Sequence, residues 1–192
     1  MVELKFASPE EARGWIGQNI TTNDSRYTPW IEEISILSNF LYNGVIAIEE
    51  VNIPCIEKPL NEKLNKIHGP QKYHKYIALE LLKLEEFEEK DVFIEFNTYG
   101  RRPDVYATKD SRTVLVECCS CYVNKIIGYL EEKNAELWII TDGYGPWEKN
   151  VQESERSLFF KLRRGPNWNE YYPKYQKYLN LQMKQIKNPF DV

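Results

Sequence analysis

Residues 100–125 read GRRPDVYATKDSRTVLVECCSCYVNK, and this stretch decides the fold. Its pattern predicts two strands, at 103–107 and 113–119, that are joined by a turn. Asp104 directly follows a proline, and Glu117 ends the apolar run VLV of the second strand. A carboxylate in an apolar strand loses hydration, so Glu117 needs a cation or hydrogen-bond donors to offset that loss. The stretch therefore indicates a metal site that takes Asp104 and Glu117.

The segments on either side of this stretch extend it into an α/β unit. Apolar and aromatic residues recur at helical spacing in QKYHKYIALELLK, and the nearly all-apolar AELWIIT is typical of a strand covered on both faces. The predicted elements are a helix at 71–83, a short strand at 92–96, a helix at 122–133 and a strand at 135–141. The order is thus helix, three strands, helix, strand.

The remaining segments predict extensions of a single 192-residue domain. We expect a core at about 71–141, an N-terminal extension at 1–66 and a C-terminal extension at 149–192. Within the extensions, the sequence predicts helices at 8–17 and 29–41, a strand at 44–53, and a helix that begins near 170 and packs on the outside.

The charge is unevenly distributed along the chain. The net charge is −4, which argues mildly against a general nucleic-acid coat protein, but residues 149–192 hold 9 basic and 4 acidic groups. Their bases alternate with aromatics, as on surfaces that grip phosphates and stack bases, although the aromatics could equally pack on the domain. The candidate nucleic-acid contacts are Arg101, Arg102, Lys161, Arg163, Arg164, Lys174 and Lys177.

The element order and its acidic residues resemble the PD-(D/E)XK, or restriction-endonuclease-like, nuclease superfamily over residues 73–141. The resemblance implies a central mixed β-sheet flanked by helices, in the order αβββαβ. It also implies that Asp104 of the PD dipeptide and Glu117 of the tripeptide hold divalent metal, with Glu80 as a helical acid and Glu95 as an alternative. Glu80 and Lys125 join Asp104 and Glu117 as the implied catalytic residues.

The chemistry of phosphodiester hydrolysis agrees with these residue types. The reaction needs an activated water and stabilisation of negative charge, and Mg²⁺ or Mn²⁺ on hard carboxylates supplies both. The expected substrate is DNA, with RNA not excluded. A twofold pair of chains readily cuts both strands of a duplex, so a homodimer is a further expectation.

The chain departs from the family pattern where the tripeptide should end in lysine, because Cys119 stands there. A thiol cannot replace an ammonium and is a poor ligand for Mg²⁺. Lys125, about one turn into the following helix, is the best substitute, and Lys109 and Arg102 are weaker ones. The alternative function is an inactive nuclease-like fold that binds nucleic acid or a protein partner.

Two further expectations concern the thiols and the compartment. Cys118, Cys119 and Cys121 crowd together without a zinc-ligand spacing, so we expect reduced thiols, with a redox or metal-sensing role as a third hypothesis. The sequence has no membrane-length apolar run and a charged start, which predicts a cytoplasmic protein without a membrane partner.

Overall fold

The computed structural model describes most of the chain as an α/β fold around one mixed sheet. The described residues are 2–20, 30–54, 56, 60–69, 71–95, 102–118, 121, 123–132, 134–142 and 157–176.

Two strands and three helices precede the predicted core in the described residues. They are β1 (Val2–Glu3), α1 (Pro9–Asn19), α2 (Trp30–Tyr42), β2 (Ile46–Val51) and α3 (Asn61–Asn65). Helix α1 begins as predicted, because the Ser8 hydroxyl accepts a hydrogen bond from the backbone N–H of Glu11 at 3.2 Å. Pro9 occupies the first helical position, where its missing N–H costs nothing.

The predicted core has the predicted order of elements. It consists of α4 (Lys72–Leu84), a 3-10 turn (Glu89–Asp91), β3 (Val92–Ile94), β4 (Val105–Lys109), β5 (Arg112–Cys118), α5 (Val123–Leu130) and β6 (Ala135–Asp142). After these come β7 (Ser157–Arg164) and a helical segment at 168–176.

Several boundaries differ from the predicted ones for local reasons. Strand β3 ends at Ile94 because Glu95 has a positive φ of 53°. Helix α5 ends at Leu130, where the Arg164 guanidinium donates to the carbonyl oxygens of Leu130 and Glu131 and so caps the helix.

The seven strands form one sheet in the order β1-β2-β7-β6-β5-β4-β3. Strands β5 and β6 are parallel, and every other neighbouring pair is antiparallel. Strands β2 and β7, from the two predicted extensions, belong to the same sheet as the strands of the predicted core. Strand β7 lies inside the sheet, between β2 and β6.

Alternate residues of the central strands face opposite sides of the sheet, and both sides are buried. Leu115 and Ile139 pack with α5, α1 and α2 on one face, which we call the α5 face. Val116 and Trp138 pack with α4 on the opposite face, the α4 face. This double burial explains why the sequences of β5 and β6 are almost continuously apolar.

The helical segment at 168–176 also belongs to the core. Trp168 and Tyr172 are buried on the α5 face, with their rings stacked at 4.4 Å between centroids. The guanidinium of Arg164 lies 5.0 Å from the Trp168 ring centroid. These two aromatics pack against the protein, so they are not exposed for stacking on bases. None of the helices in the described ranges is long and apolar enough to cross a membrane.

Gly165 and Gly14 provide a matched test of the packing at the end of β7. A Cβ at Gly165 would lie 2.2 Å from the carbonyl oxygen of Gly44, a backbone atom that cannot easily move, whereas nothing lies within 4 Å of a Cβ at Gly14 in α1. We expect Gly165→Ala to destabilise the fold by about 1–3 kcal/mol. Gly14→Ala should stabilise it by about 0.5–1 kcal/mol, because alanine loses less backbone entropy in a helix.

Urea denaturation followed by far-UV circular dichroism measures both free energies of unfolding. Equal effects of the two substitutions would contradict the close approach of residues 44 and 165.

Candidate functional site

Asp104 and Glu117 lie opposite each other on neighbouring strands. Val105 pairs with Val116 in the antiparallel register of β4 and β5, so the next residues in each direction are Asp104 and Glu117. The backbone N–H of Cys118 donates to Oδ2 of Asp104 at 2.8 Å, which fixes the carboxylate of Asp104 against β5. The two acids predicted from the sequence are thus brought together at the ends of two central strands.

Glu117 is a buried carboxylate with two donors from α5. The Lys125 ammonium lies 3.0 Å from Oε1 and 3.1 Å from Oε2 of Glu117, and the Tyr129 hydroxyl donates to Oε1 at 2.7 Å. Burial raises the pKa of Glu117 above its ordinary value, and the charge of Asp104 adds to this, although Lys125 and Tyr129 oppose it. Lys125 therefore reaches the carboxylate from the helix, as predicted for a displaced lysine.

A third carboxylate, Glu95, extends the row onto β3. The backbone N–H of Glu95 donates to the carbonyl oxygen of Asp104 at 3.0 Å, one step beyond the pairing of Ile94 with Val105. The Arg102 guanidinium forms an ion pair with Glu95 and also donates to its carbonyl oxygen at 3.2 Å. Glu95, Asp104 and Glu117 thus form one row across β3, β4 and β5, which we call the carboxylate row.

Lys75 of α4 enters the same cluster from the α4 face. Its ammonium lies 2.7 Å from Oε1 of Glu95, 3.4 Å from Oδ1 of Asp104 and 3.2 Å from the carbonyl oxygen of His68. The hydrogen bond from Lys75 is the main reason that the pKa of Glu95 lies below its ordinary value. Lys75 is fully buried, although long charged side chains are rarely so.

The sequence prediction missed Lys75, but the sequence carries a signal for it. Lys75 lies three residues before Ala78 and seven before Leu82, and both of those residues are fully buried. That spacing places all three on one helical face. A lysine on the buried face of a predicted helix is unusual enough to be a candidate site residue.

Glu80 does not join the cluster. Its carboxylate accepts a hydrogen bond from Lys83 at 2.8 Å, one turn along α4. Glu80 and Lys83 lie on a groove between α3, α4 and β3, and neither Asp104 nor Glu117 lines that groove. The structure therefore gives the helical position in the cluster to Lys75 instead of Glu80.

Lys161 and Arg163, two of the candidate nucleic-acid contacts on β7, form ion pairs within the protein. Lys161 pairs with Glu85 and lies 4.7 Å from the Trp138 ring centroid, and Arg163 pairs with Glu49. Lys161 is largely buried beside the core and therefore needs an internal partner, whereas the Arg163 side chain is 60% exposed.

The other candidate nucleic-acid contacts divide into two groups. Arg164 caps α5, Lys174 pairs with Glu170 at 3.2 Å, and Arg102 pairs with Glu95. Arg101 and Lys177 lie outside the described residues. Lys109, a weaker substitute for the family lysine, donates to the carbonyl oxygen of Glu86 at 2.6 Å.

The two described cysteines, Cys118 and Cys121, are buried. Cys118 is in β5, and the backbone N–H of Cys121 donates to the carbonyl oxygen of Ile20 at 3.1 Å. Burial raises the pKa of Cys121 well above its ordinary value, so this thiol is a poor nucleophile and a poor redox sensor. Cys119 and Cys55 lie outside the described residues.

The fit of a divalent metal depends on Asp104 and Glu117. Within the described ranges, no group of three or more His, Cys, Asp or Glu side chains is arranged to hold a metal. Mg²⁺ usually binds through one or two carboxylates and keeps several waters, so Asp104 and Glu117 are the two residues that could hold it here. The pair does not form an all-protein cage.

Protein-family models, curated proteins and solved structures gave no match to this chain.

The raised pKa of Glu117 makes a prediction about stability. A carboxylate with a raised folded-state pKa binds its proton more tightly in the folded state, so it lowers stability as pH rises through and above its ordinary value of 4.5. Glu117→Gln should remove this loss, and the variant should gain stability relative to the native protein as pH rises from about 4 to about 8.

Glu85→Gln is the control, with the opposite sign. Burial raises the pKa of Glu85, but hydrogen bonds from Lys161 and Arg112 outweigh it, so the net pKa is lowered. Its replacement should therefore cost stability at neutral pH and little at low pH. Urea denaturation across the pH range measures both, and parallel pH profiles for the two variants would contradict the assignment.

Proposed function

We propose that the chain is a divalent-metal-dependent endonuclease that hydrolyses phosphodiester bonds in DNA, with the metal held by Asp104 and Glu117. The observation that carries the proposal is the contact of the Lys125 ammonium with both oxygens of Glu117, at 3.0 and 3.1 Å. The Lys125 ammonium thereby supplies the positive charge that the tripeptide lacks because Cys119 stands in place of its lysine. The order αβββαβ around the carboxylate row supports the same conclusion.

Each residue of the site has a distinct task in this proposal. Bound Mg²⁺ or Mn²⁺ would polarise the phosphate and activate water. Asp104 is held by the N–H of Cys118 and Glu117 by the Tyr129 hydroxyl, so both carboxylates are fixed before metal binds. The Lys125 side chain is 31% exposed, which leaves its ammonium accessible to a phosphate oxygen or an attacking water.

Burial of Glu117 contributes to the proposed chemistry. Its side chain is 5% exposed, and its pKa is raised by burial, so the ionised carboxylate gains from a nearby cation. A strong demand for positive charge at a buried carboxylate is what a divalent ion would satisfy. Perturbed carboxylates of this kind are more frequent at functional sites than elsewhere.

Cleavage assays test the proposal. With supercoiled plasmid and branched DNA in Mg²⁺ or Mn²⁺, we expect cutting by the native protein. Asp104→Asn and Glu117→Gln should each reduce the rate about 100- to 1,000-fold, as loss of a charge-stabilising group typically does. Lys125→Met should reduce it by about 100-fold or more, because the ammonium acts in the transition state.

Glu80→Gln is the matched control, because Glu80 is a carboxylate of α4 that pairs with Lys83 outside the cluster. It should cut at the native rate. The proposal fails if the native protein does not cut, if cutting persists in Asp104→Asn, or if Glu80→Gln loses as much activity as Glu117→Gln.

A second candidate function is binding without catalysis. It is favoured by the balance of charge in the cluster, where Lys75, Arg102 and Lys125 already pair with the three carboxylates. Because the charges of the carboxylate row are already paired with these cations, the row gains less free energy from binding a metal ion. In this candidate the protein binds nucleic acid or a protein partner, and Lys75, Arg102 and Lys125 serve only to stabilise the fold.

Titration of labelled duplex and branched DNA separates the two candidates. The binding-only candidate predicts that DNA associates in EDTA and that the logarithm of the association constant falls linearly with the logarithm of the salt concentration. It also predicts the same association constant for Asp104→Asn. The endonuclease predicts that Mg²⁺ or Ca²⁺ strengthens association and that Asp104→Asn removes this gain. Metal-dependent association lost in Asp104→Asn would rule out the binding-only candidate.

A further inference from the structure

The Lys75 ammonium is enclosed by acceptors of the protein. It donates hydrogen bonds to Oε1 of Glu95 and to the carbonyl oxygen of His68, and it lies 3.4 Å from Oδ1 of Asp104 in an ion pair. The side chain has no exposed surface. Lys75 is therefore not placed to deliver a proton to a substrate, and any role it has must act through its neighbours.

Both oxygens of the Glu95 carboxylate have cationic partners within the protein. One of its carboxylate oxygens accepts from Lys75, and the other pairs with Arg102. Two cations at a single carboxylate oppose the approach of a third, because like charges at such distances repel. Glu95 is thus a counter-ion for Lys75 and Arg102, and a poor ligand for an added metal.

Two residues with positive φ bring the backbone close to the ion pair of Glu95 and Lys75. Glu95 adopts the left-handed region at φ 53°, and Gly69 of the loop before α4 has φ 77°. A Cβ at Gly69 would overlap the Glu95 carboxylate and lie 2.8 Å from the Lys75 ammonium. The loop therefore approaches the pair as closely as a glycine allows, which leaves little room for a hydrated ion between Glu95 and Lys75.

We infer that Lys75 is a built-in cation that replaces a second metal ion at the carboxylate row, so that the site binds a single divalent ion through Asp104 and Glu117. This inference rests on the proposed function, and it assigns Lys75 as a positioning residue. Its ammonium lies 3.4 Å from Oδ1 of Asp104, opposite the Cys118 N–H on Oδ2, and so helps to fix the position of that carboxylate. By reserving Glu95, it limits the row to two metal ligands.

Metal stoichiometry tests the inference directly. Electron paramagnetic resonance of free Mn²⁺ during titration should give one bound ion per chain for the native protein and for Glu95→Gln. Lys75→Met releases one oxygen of Glu95 and the carbonyl oxygen of His68, and it removes one of the two cations at Glu95, so this variant should bind two ions. The double variant Lys75→Met/Glu95→Gln should bind one again.

Lys83→Met is the matched control. Like Lys75, Lys83 is a lysine of α4 that pairs with a glutamate, but its partner is Glu80 and its side chain is exposed. It should keep one ion with native affinity. Two ions in the native protein, or one ion in Lys75→Met, would overturn the inference.

Thermal unfolding provides a readout if Lys75→Met is poorly stable. Without metal, removal of the cation leaves Glu95 and Asp104 with less compensation, so the variant should melt below the native protein. Because a ligand that binds only the folded state stabilises it, saturating Mn²⁺ should raise the melting temperature of Lys75→Met more than that of the native protein. Equal shifts would overturn the inference.

If Lys75→Met does not fold, Glu95→Gln carries the test. Its dissociation constant for Mn²⁺ should stay within about threefold of the native value, which corresponds to well under 1.4 kcal/mol. Loss of binding would make Glu95 a ligand and overturn the inference. One bound ion without DNA cleavage contradicts only the proposed function, and cleavage with two native ions contradicts only the inference.

Discussion

The antiparallel register of β4 and β5 is the constraint on which the site depends. It places Asp104 opposite Glu117, and the pairing of β3 with β4 adds Glu95 to the row. A shift of one residue would move the side chains of β5 to the opposite face of the sheet. Such a shift would carry the Glu117 carboxylate away from Lys125 and Tyr129 and into the apolar α4 face, where it would be a buried charge without a partner, and this cost opposes the shift.

The buried position of Glu117 explains why helices on both faces supply cations. Lys125 and Tyr129 reach Glu117 from the α5 face, and Lys75 reaches Glu95 and Asp104 from the α4 face. Without these donors the carboxylates would lose hydration with nothing to offset the loss. The helices that pack on the two faces of the sheet therefore also supply the charges that stabilise the carboxylates.

The sequence predicted the local features and missed the non-local ones. Asp104, Glu117 and Lys125 were found because a PD dipeptide, an acid in an apolar strand and a lysine on the next helix are local signals. Strand β7 was missed because its SLFFKLRR sequence mixes apolar and basic residues, and only its insertion between β2 and β6 shows that Lys161 and Arg163 have internal partners. On α4, Glu80 matches the family's helical acid in residue type, whereas the signal for Lys75 is its helical spacing with the buried residues Ala78 and Leu82.

In the proposed endonuclease, Asp104 and Glu117 together hold one divalent ion beside Lys125. Anomalous diffraction from a crystal of the native protein grown with Mn²⁺ tests it most directly. The account predicts a single anomalous peak in this cluster, within bonding distance of both carboxylates, with the Lys75 ammonium still between Glu95 and Asp104. A peak bound by Glu95, or no peak at the carboxylate row in crystals that hold Mn²⁺ elsewhere, would contradict the account.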